Sequence, residues 1–222
     1  MNKITKVLSL VFLSFSLGTI SQAEVKMGIS LSAIDMSPSA KEELFSALSD
    51  EQPADSEDIV VPMGSIFVEK DYGVVSLGID LVPYGVDSEE LNNARTAPDG
   101  GAENAGRDLT NAKVEVSVEY PITIYALLQN DAGAFLKLGA SYANVATKET
   151  TPSGSNYPDA DLYGGHVSIG FERALGATDY NFRFEGGYSG YTNITSVSTS
   201  KNKIHVNDMD GVTARFSILK AF

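Results

Sequence analysis

The sequence predicts an all-β fold, an eight-stranded antiparallel up-and-down transmembrane β-barrel with long extracellular loops and a short helix in the first loop. Three observations carry this. Apolar and polar residues alternate with a period of two, not 3.6, along eight separate segments. The spacers alternate too, short turns containing Gly or Asp against long polar loops. The chain ends on an aromatic residue, Phe222, with Ile218 and Phe216 on the same face of the last segment.

The chain opens with Lys3 and Lys6 and no acid, followed by an apolar stretch over residues 7–20 and then Ser21-Gln22-Ala23. This is the basic, apolar and small-residue order of a secretory signal, with cleavage after Ala23. The apolar stretch is shorter than the ~20 residues a spanning helix needs. Residues 1–23 are therefore read as a signal peptide and 24–222 as one barrel domain. There are no cysteines, which excludes a disulfide framework and a lipid anchor attached through cysteine. Acids outnumber bases 29 to 16, a formal charge of −13 that falls further once Lys3 and Lys6 are removed. That balance argues against a nucleic-acid partner. The mean hydropathy of −0.05 conceals the pattern, because a membrane barrel alternates rather than accumulates apolar residues.

In chain order, Val25, Met27, Ile29 and Leu31 oppose Lys26, Gly28, Ser30 and Ser32. Ile66 and Val68 oppose Ser65 and Glu69; Val75, Leu77, Ile79 and Leu81 oppose Ser76, Gly78 and Asp80. Val114, Val116, Val118 and Tyr120 oppose Lys113, Glu115, Ser117 and Glu119, in a run that continues past Pro121 to about Gln129. Leu136, Leu138, Ala140 and Tyr142 alternate with Lys137, Gly139 and Ser141. Val167, Ile169 and Phe171 alternate with His166, Ser168, Gly170 and Glu172. Tyr180, Phe182, Phe184 and Tyr188 alternate with Arg183, Glu185 and Ser189, and Ala214, Phe216, Ile218 and Phe222 with Thr213, Arg215, Ser217 and Leu219. An even strand number places both mature termini on one side. Short turns fall at 70–73, 130–133 and 176–179, and longer loops at 34–60, 84–110, 149–161 and 196–203.

A soluble lipocalin-like barrel would show the same alternation with the apolar face inward. The polar face here holds Lys, Arg, Glu, Asp, Ser and Gly, a set suited to a polar lumen. The ending Phe216-Ser217-Ile218-Leu219-Lys220-Ala221-Phe222 resembles the C-terminal strand by which the barrel-assembly machinery recognises outer-membrane barrels. Phe216, Ile218 and Phe222 carry that assembly signal. Lys220 departs from the pattern, and a lysine at the interface can snorkel to water. The blocks Phe135-Leu136-Lys137-Leu138-Gly139 and Phe182-Arg183-Phe184-Glu185-Gly186 extend the resemblance to small porin-family and OmpA-like eight-stranded barrels over most of residues 61–222. The resemblance implies a place in the cell outer membrane with both mature termini in the periplasm. Its implied partners are outer-membrane lipid and lipopolysaccharide, and the assembly machinery during insertion; no extracellular partner is identified.

The predicted inward set contains Lys113, Lys137, Arg183 and Arg215 against Glu69, Asp80, Glu115, Glu119, Glu172 and Glu185. An eight-stranded lumen is narrow enough for side chains to fill, and unpaired charges there would cost several kcal/mol each. Lys137, Glu172, Arg183, Glu185 and Arg215 are therefore the expected ion-pair network. One reading is a filled lumen in a structural or surface-interaction barrel, and a second is a gate in a small-solute channel that favours cations. A third is a lipid A-modifying enzyme, since His166 and Ser168 resemble part of a lipid A deacylase site. Parity turns both residues into the lumen, and Ile169 replaces the asparagine that follows the serine in that family, so no catalytic residue is assigned. His166 and His205 lack metal-ligand spacing, and no metal or cofactor is expected.

The loops are acidic. The first, 34–60, carries eight acids against Lys41 alone, and the second, 84–110, six against Arg95 and Arg107. Such loops are a solvated surface, or one that bridges anionic lipopolysaccharide through divalent cations. Ser39 and Glu42 have capping-box spacing ahead of Leu44, Phe45 and Leu48, which predicts the short helix over residues 40–48. Tyr120, Tyr142, Tyr180, Tyr188 and Phe222 fall near strand ends, where aromatic girdles sit.

Overall fold

The computed structural model describes residues 24–43, 55–56, 58–87, 91–93, 112–150, 157–199, 201 and 203–222. The signal segment with Ala23, and much of the first two long loops, lie outside the described residues. Among the described residues fourteen strands follow one another: β1 (Glu24–Met36), β2 (Ser39–Glu43), β3 (Asp55–Ser56), β4 (Ile59–Asp71), β5 (Val75–Leu81), β6 (Gly85–Asp87), β7 (Leu91–Asn93), β8 (Ala112–Gln129), β9 (Ala134–Thr150), β10 (Ala160–Ala174), β11 (Tyr180–Tyr191), β12 (Ile194–Val197), β13 (Lys203–Asn207) and β14 (Asp210–Ala221).

Eight of these close a ring. Neighbours pair antiparallel in the order β1–β4–β5–β8–β9–β10–β11–β14, and β14 pairs back onto β1 from Lys26–Ala221 to Met36–Gly211. The first and last wall strands are thus sealed to each other, and the ring presents no free edge. Three of the tight connections turn on glycines with positive φ, Gly73, Gly133 and Gly176. At Gly133 a Cβ would also run into the carbonyl oxygen of Glu172, so the β8–β9 turn needs glycine for both reasons. Among the described residues no helix is long and apolar enough to cross a membrane, which says nothing of a barrel.

The side-chain parity settles which face is which. Ile29, Leu31, Ile169 and Val212 point outward and are 62, 69, 68 and 63 % exposed, whereas Arg183 is 2 % and Glu69 0 % exposed. A soluble barrel would show the reverse. A continuous apolar exterior around a charged interior belongs in hydrocarbon, because in water it would form a patch far larger than soluble monomers expose. Aromatic side chains mark both margins: Tyr72, Tyr180 and Phe222 near the tight turns, Tyr84, Tyr120, Tyr163 and Tyr188 near the long loops. Tyr180 and Tyr188 are eight residues apart on one tilted strand, which sets a belt roughly 20 Å tall.

Two expectations change. β8 carries a one-residue bulge between Glu119 and Ile122, with Tyr120 at φ 47° and Pro121 where no ladder donor is needed. One extra residue reverses the facing of everything before it. Val118 therefore packs inward on Val145, and Glu119, predicted to face the lumen, shares the outer face with Asn144. The side chains of Lys113 and Glu115 lie outside the described residues. The second change concerns the first loop. The segment predicted as the start of a helix is strand β2, paired with β13 from Ser39–Asn207 to Glu43–Lys203. Ser39 donates its hydroxyl proton to Asp208 (2.7 Å) instead of capping a helix. A ladder formed with residues some 160 positions away outweighs a local capping preference. Residues 44–48 lie outside the described residues.

With β12 and β3, these strands make a second, four-stranded sheet at the loop end. Ile194 of β12 and Val206 of β13 are directly paired and pack against Ala143, Val145 and Leu162, together with Val118, Ala160, Tyr191 and Met209. The loop-end mouth is thus lined and overlaid by hydrocarbon.

Candidate functional site: the ion-paired lumen

The inward residues of the turn-end half form one connected set of charges. Nearest the turns, Lys26 on β1 reaches Asp71 (2.7 Å) and Glu172 (3.5 Å), and Asn181 donates to Glu172 (2.8 Å). One layer up, Arg183 on β11 holds Glu69 on β4 in a two-pronged pair, 2.6 and 2.9 Å, and binds Glu172 Oε2 at 2.6 Å. Tyr125 donates to Glu69 Oε1 (2.8 Å). The Arg183 guanidinium stands 5.6 Å from the Phe67 ring centroid and 5.3 Å from that of Phe135. Two aromatic rings thus lie within cation–π distance of the guanidinium while its N–H groups meet carboxylate in a two-pronged pair that lysine could not make.

The next layer centres on Glu185. It pairs with Lys137, accepts from Ser168 (2.9 Å) and takes Arg215 Nε at 3.2 Å, while Arg215 Nη1 pairs with Asp80. Lys137 lies 5.1 Å from the Tyr125 ring centroid, which ties this layer to the one below. Gly78 makes room for that ring, since a Cβ there would overlap it.

Three of these contacts span the lumen. Arg183–Glu69, Arg215–Asp80 and Lys26–Glu172 each join strands three places apart around a ring of eight. They act as crossed braces between facing walls, where cross-strand pairs between neighbours would only decorate one wall. Four cations (Lys26, Lys137, Arg183, Arg215) meet five carboxylates (Glu69, Asp71, Asp80, Glu172, Glu185). The surplus acceptor capacity is met by the neutral donors Tyr125, Asn181 and Ser168. Buried charges persist only when paired and hydrogen-bonded, and each of these is.

The structure brings all five predicted lumen residues into contact, Lys137, Glu185 and Arg215 in one layer and Glu172 with Arg183 in the other. Sequence reasoning left out Lys26, Asp71, Tyr125, Asn181 and the two phenylalanines as members of the set. Their facing was available, since Lys26 shares a face with Ser30, Phe67 with Glu69, and Phe135 with Lys137. The mutual reach across the lumen was not, because the stagger between distant strands leaves no mark in a one-dimensional pattern. His166 lies against Gly139, and Ser168 donates to Glu185, so the pair belongs to the lumen wall. Among the described residues no group of His, Cys, Asp and Glu could hold a metal ion. Of the predicted assembly residues, Phe216 meets the Phe184 ring at a tilt with centroids 4.8 Å apart, Ile218 faces outward, and Phe222 is 71 % exposed beside Lys220.

No protein-family model matches the chain, and no curated protein matches it in sequence. Solved structures do match in fold. The outer-membrane protein OprG from Pseudomonas aeruginosa is 9 % identical, with a TM-score of 0.58 over 90 % of this chain and 96 % of that one. Neisserial surface protein A is 13 % identical over 88 % and 97 % of the two chains, with a TM-score of 0.41. Ail of Yersinia pestis is 8 % identical over 90 % and 99 %, with a TM-score of 0.45. The chain has the closed eight-stranded fold of small outer-membrane barrels.

Proposed function

We propose that the protein is a closed outer-membrane scaffold, structural or surface-interacting, that carries its loops on a barrel whose lumen does not conduct. In this reading the signal peptide is cleaved after Ala23, the assembly machinery reads the strand ending at Phe222, and the tight turns and both mature termini face the periplasm. The outward apolar belt, its two aromatic margins and the fold shared with OprG support that location. The contacts on the membrane side are with phospholipid and lipopolysaccharide. No catalytic role is proposed for His166 or Ser168, whose side chains face the braced interior.

The observation that carries the closed reading is the double filling of the interior, crossed ion pairs toward the turns and an apolar cluster toward the loops. An ion crossing the barrel would have to break charge pairs and then enter hydrocarbon. The refolded mature chain should give no discrete current steps in planar bilayers. Regular steps from the wild type would sink the scaffold reading and favour the small-solute channel. One observation keeps that alternative in view: the Arg215 side chain is 21 % exposed, the most open of the four lumen cations. Steps that arise only in Arg215→Ala would identify Arg215–Asp80 as the part of the closure nearest to opening.

A further inference from the structure

The outer wall of the barrel is not smooth. A groove of about 910 Å³ crosses β8, β9, β10 and β11 in the turn-end half, bounded by Leu128, Leu136, Ile169, Phe171 and Phe184, with Gly186 on its floor. Its width of three interstrand gaps gives it a length of roughly 14 Å. Because the groove opens outward within the apolar belt, what fills it comes from the bilayer.

Beneath the groove stands Arg173, next but one to Phe171 along β10 and on the same outward face. Its guanidinium lies beside the β8–β9 turn, Nη1 3.9 Å from where a Cβ on Gly133 would sit. Among the described residues it pairs with no carboxylate. Lys70 and Lys220 also face outward at this end, the latter over Tyr180 and Phe222 and paired with Asp179 at 3.4 Å. Among the described residues the outward acids on wall strands, Asp35, Glu119, Asp161 and Asp210, lie at the other margin, while Asp131 and Asp179 are exposed in the turns at this one. A second copy inserted the same way round would bring its wall acids to the wrong height for Arg173, leaving only turn acids, of which Asp179 is already paired with Lys220.

We propose that this groove binds an anionic phospholipid of the leaflet at the turn end, with an acyl chain in the groove and the phosphate on Arg173. The proposal rests on the membrane reading above, and it adds a defined lipid site to an otherwise general lipid contact. A basic residue at the interface favours anionic lipid by ~1 kcal/mol, equivalent to about five-fold in affinity.

The chain contains no tryptophan, so one inserted residue is a clean reporter. Ile169→Trp places it at the groove, and Leu31→Trp places it on a remote part of the apolar face. Both would be refolded into phosphatidylcholine vesicles doped with brominated phosphatidylglycerol or brominated phosphatidylcholine. At Ile169→Trp, the anionic lipid should quench at about one-fifth the mole fraction the zwitterionic lipid needs; at Leu31→Trp the two should be equal. Adding Arg173→Gln should abolish the preference. Adding Gly186→Leu should reduce quenching by both lipids at the groove only, and a Cβ there meets nothing nearer than Thr213 O at 3.9 Å, so the backbone does not bar a side chain at that position. Equal quenching at Ile169→Trp, or a preference that survives Arg173→Gln, overturns the lipid site. Wild-type dimers that cross-link and vanish with Gly186→Leu overturn it in favour of a second copy. No quenching at Leu31→Trp would mean that the membrane reading itself has failed.

Discussion

Toward the tight turns the barrel is filled by charge, and toward the long loops by hydrocarbon; the two fillings differ in how they tolerate change. In the charged half each side chain is held by named partners at fixed distances, and removing one strands the others. In the apolar half Leu162, Val145 and Ile194 touch several neighbours without direction, and a lost methyl group leaves a hole that its surroundings partly close. The charged half specifies which walls face each other, and the apolar half excludes water above it.

The largest effect should come from the centre of the charged half. Arg183→Met leaves Glu69 and Glu172 buried without their main partner, and stability should fall by about 3–5 kcal/mol. Urea unfolding of the refolded protein in lipid vesicles measures it. The double variant Arg183→Met/Glu69→Leu should recover much of the loss. If it does not, the penalty comes from lost packing between Phe67 and Phe135, and the distinction between the halves weakens. Leu162→Ala in the apolar half should cost about 2–3 kcal/mol by cavity formation, with no recovery from any charge change. Ile194→Asp sharpens the comparison differently. It puts a carboxylate into the apolar cover, yet the bilayer should stay silent because the braces below still close the lumen; current steps from Ile194→Asp alone would show that the cover is the only seal. The smallest effect belongs to the exterior. Lys220 and Asp179 pair at 3.4 Å with Asp179 82 % exposed, so Lys220→Met should cost under about 1 kcal/mol, and less still in high salt.

The same contrast explains what could be read in advance. The eight wall strands were legible because each faces lipid on one side and lumen on the other, which stamps a period of two on the chain. The facing of Glu119 was not, because the extra residue at Tyr120–Pro121 adds one position without breaking the look of the alternation. The pairing of Arg183 with Glu69 was not either, since their meeting depends on how far the strands are staggered around the ring. In the first loop, Ser39 and Glu42 carried a true local helix signal that long-range pairing with Lys203–Asn207 overrode.

The crossed braces also bear on how the molecule comes into being. Arg183 and Glu69 are separated by 114 residues, and Arg215 and Asp80 by 135. Arg215 lies on β14, the strand between β11 and β1, so its pair with Asp80 forms only when that strand is in place. Pairs between nearby strands, such as Lys26–Asp71 and Arg183–Glu172, need no such closure, whereas contacts as distant in sequence as Arg215–Asp80 form slowly. Sealing the wall and adding the Arg215–Asp80 brace are therefore one event. A ring not yet closed on β14 thus lacks one of its three braces, and the strand that ends the search for a wall partner also completes the support across the lumen.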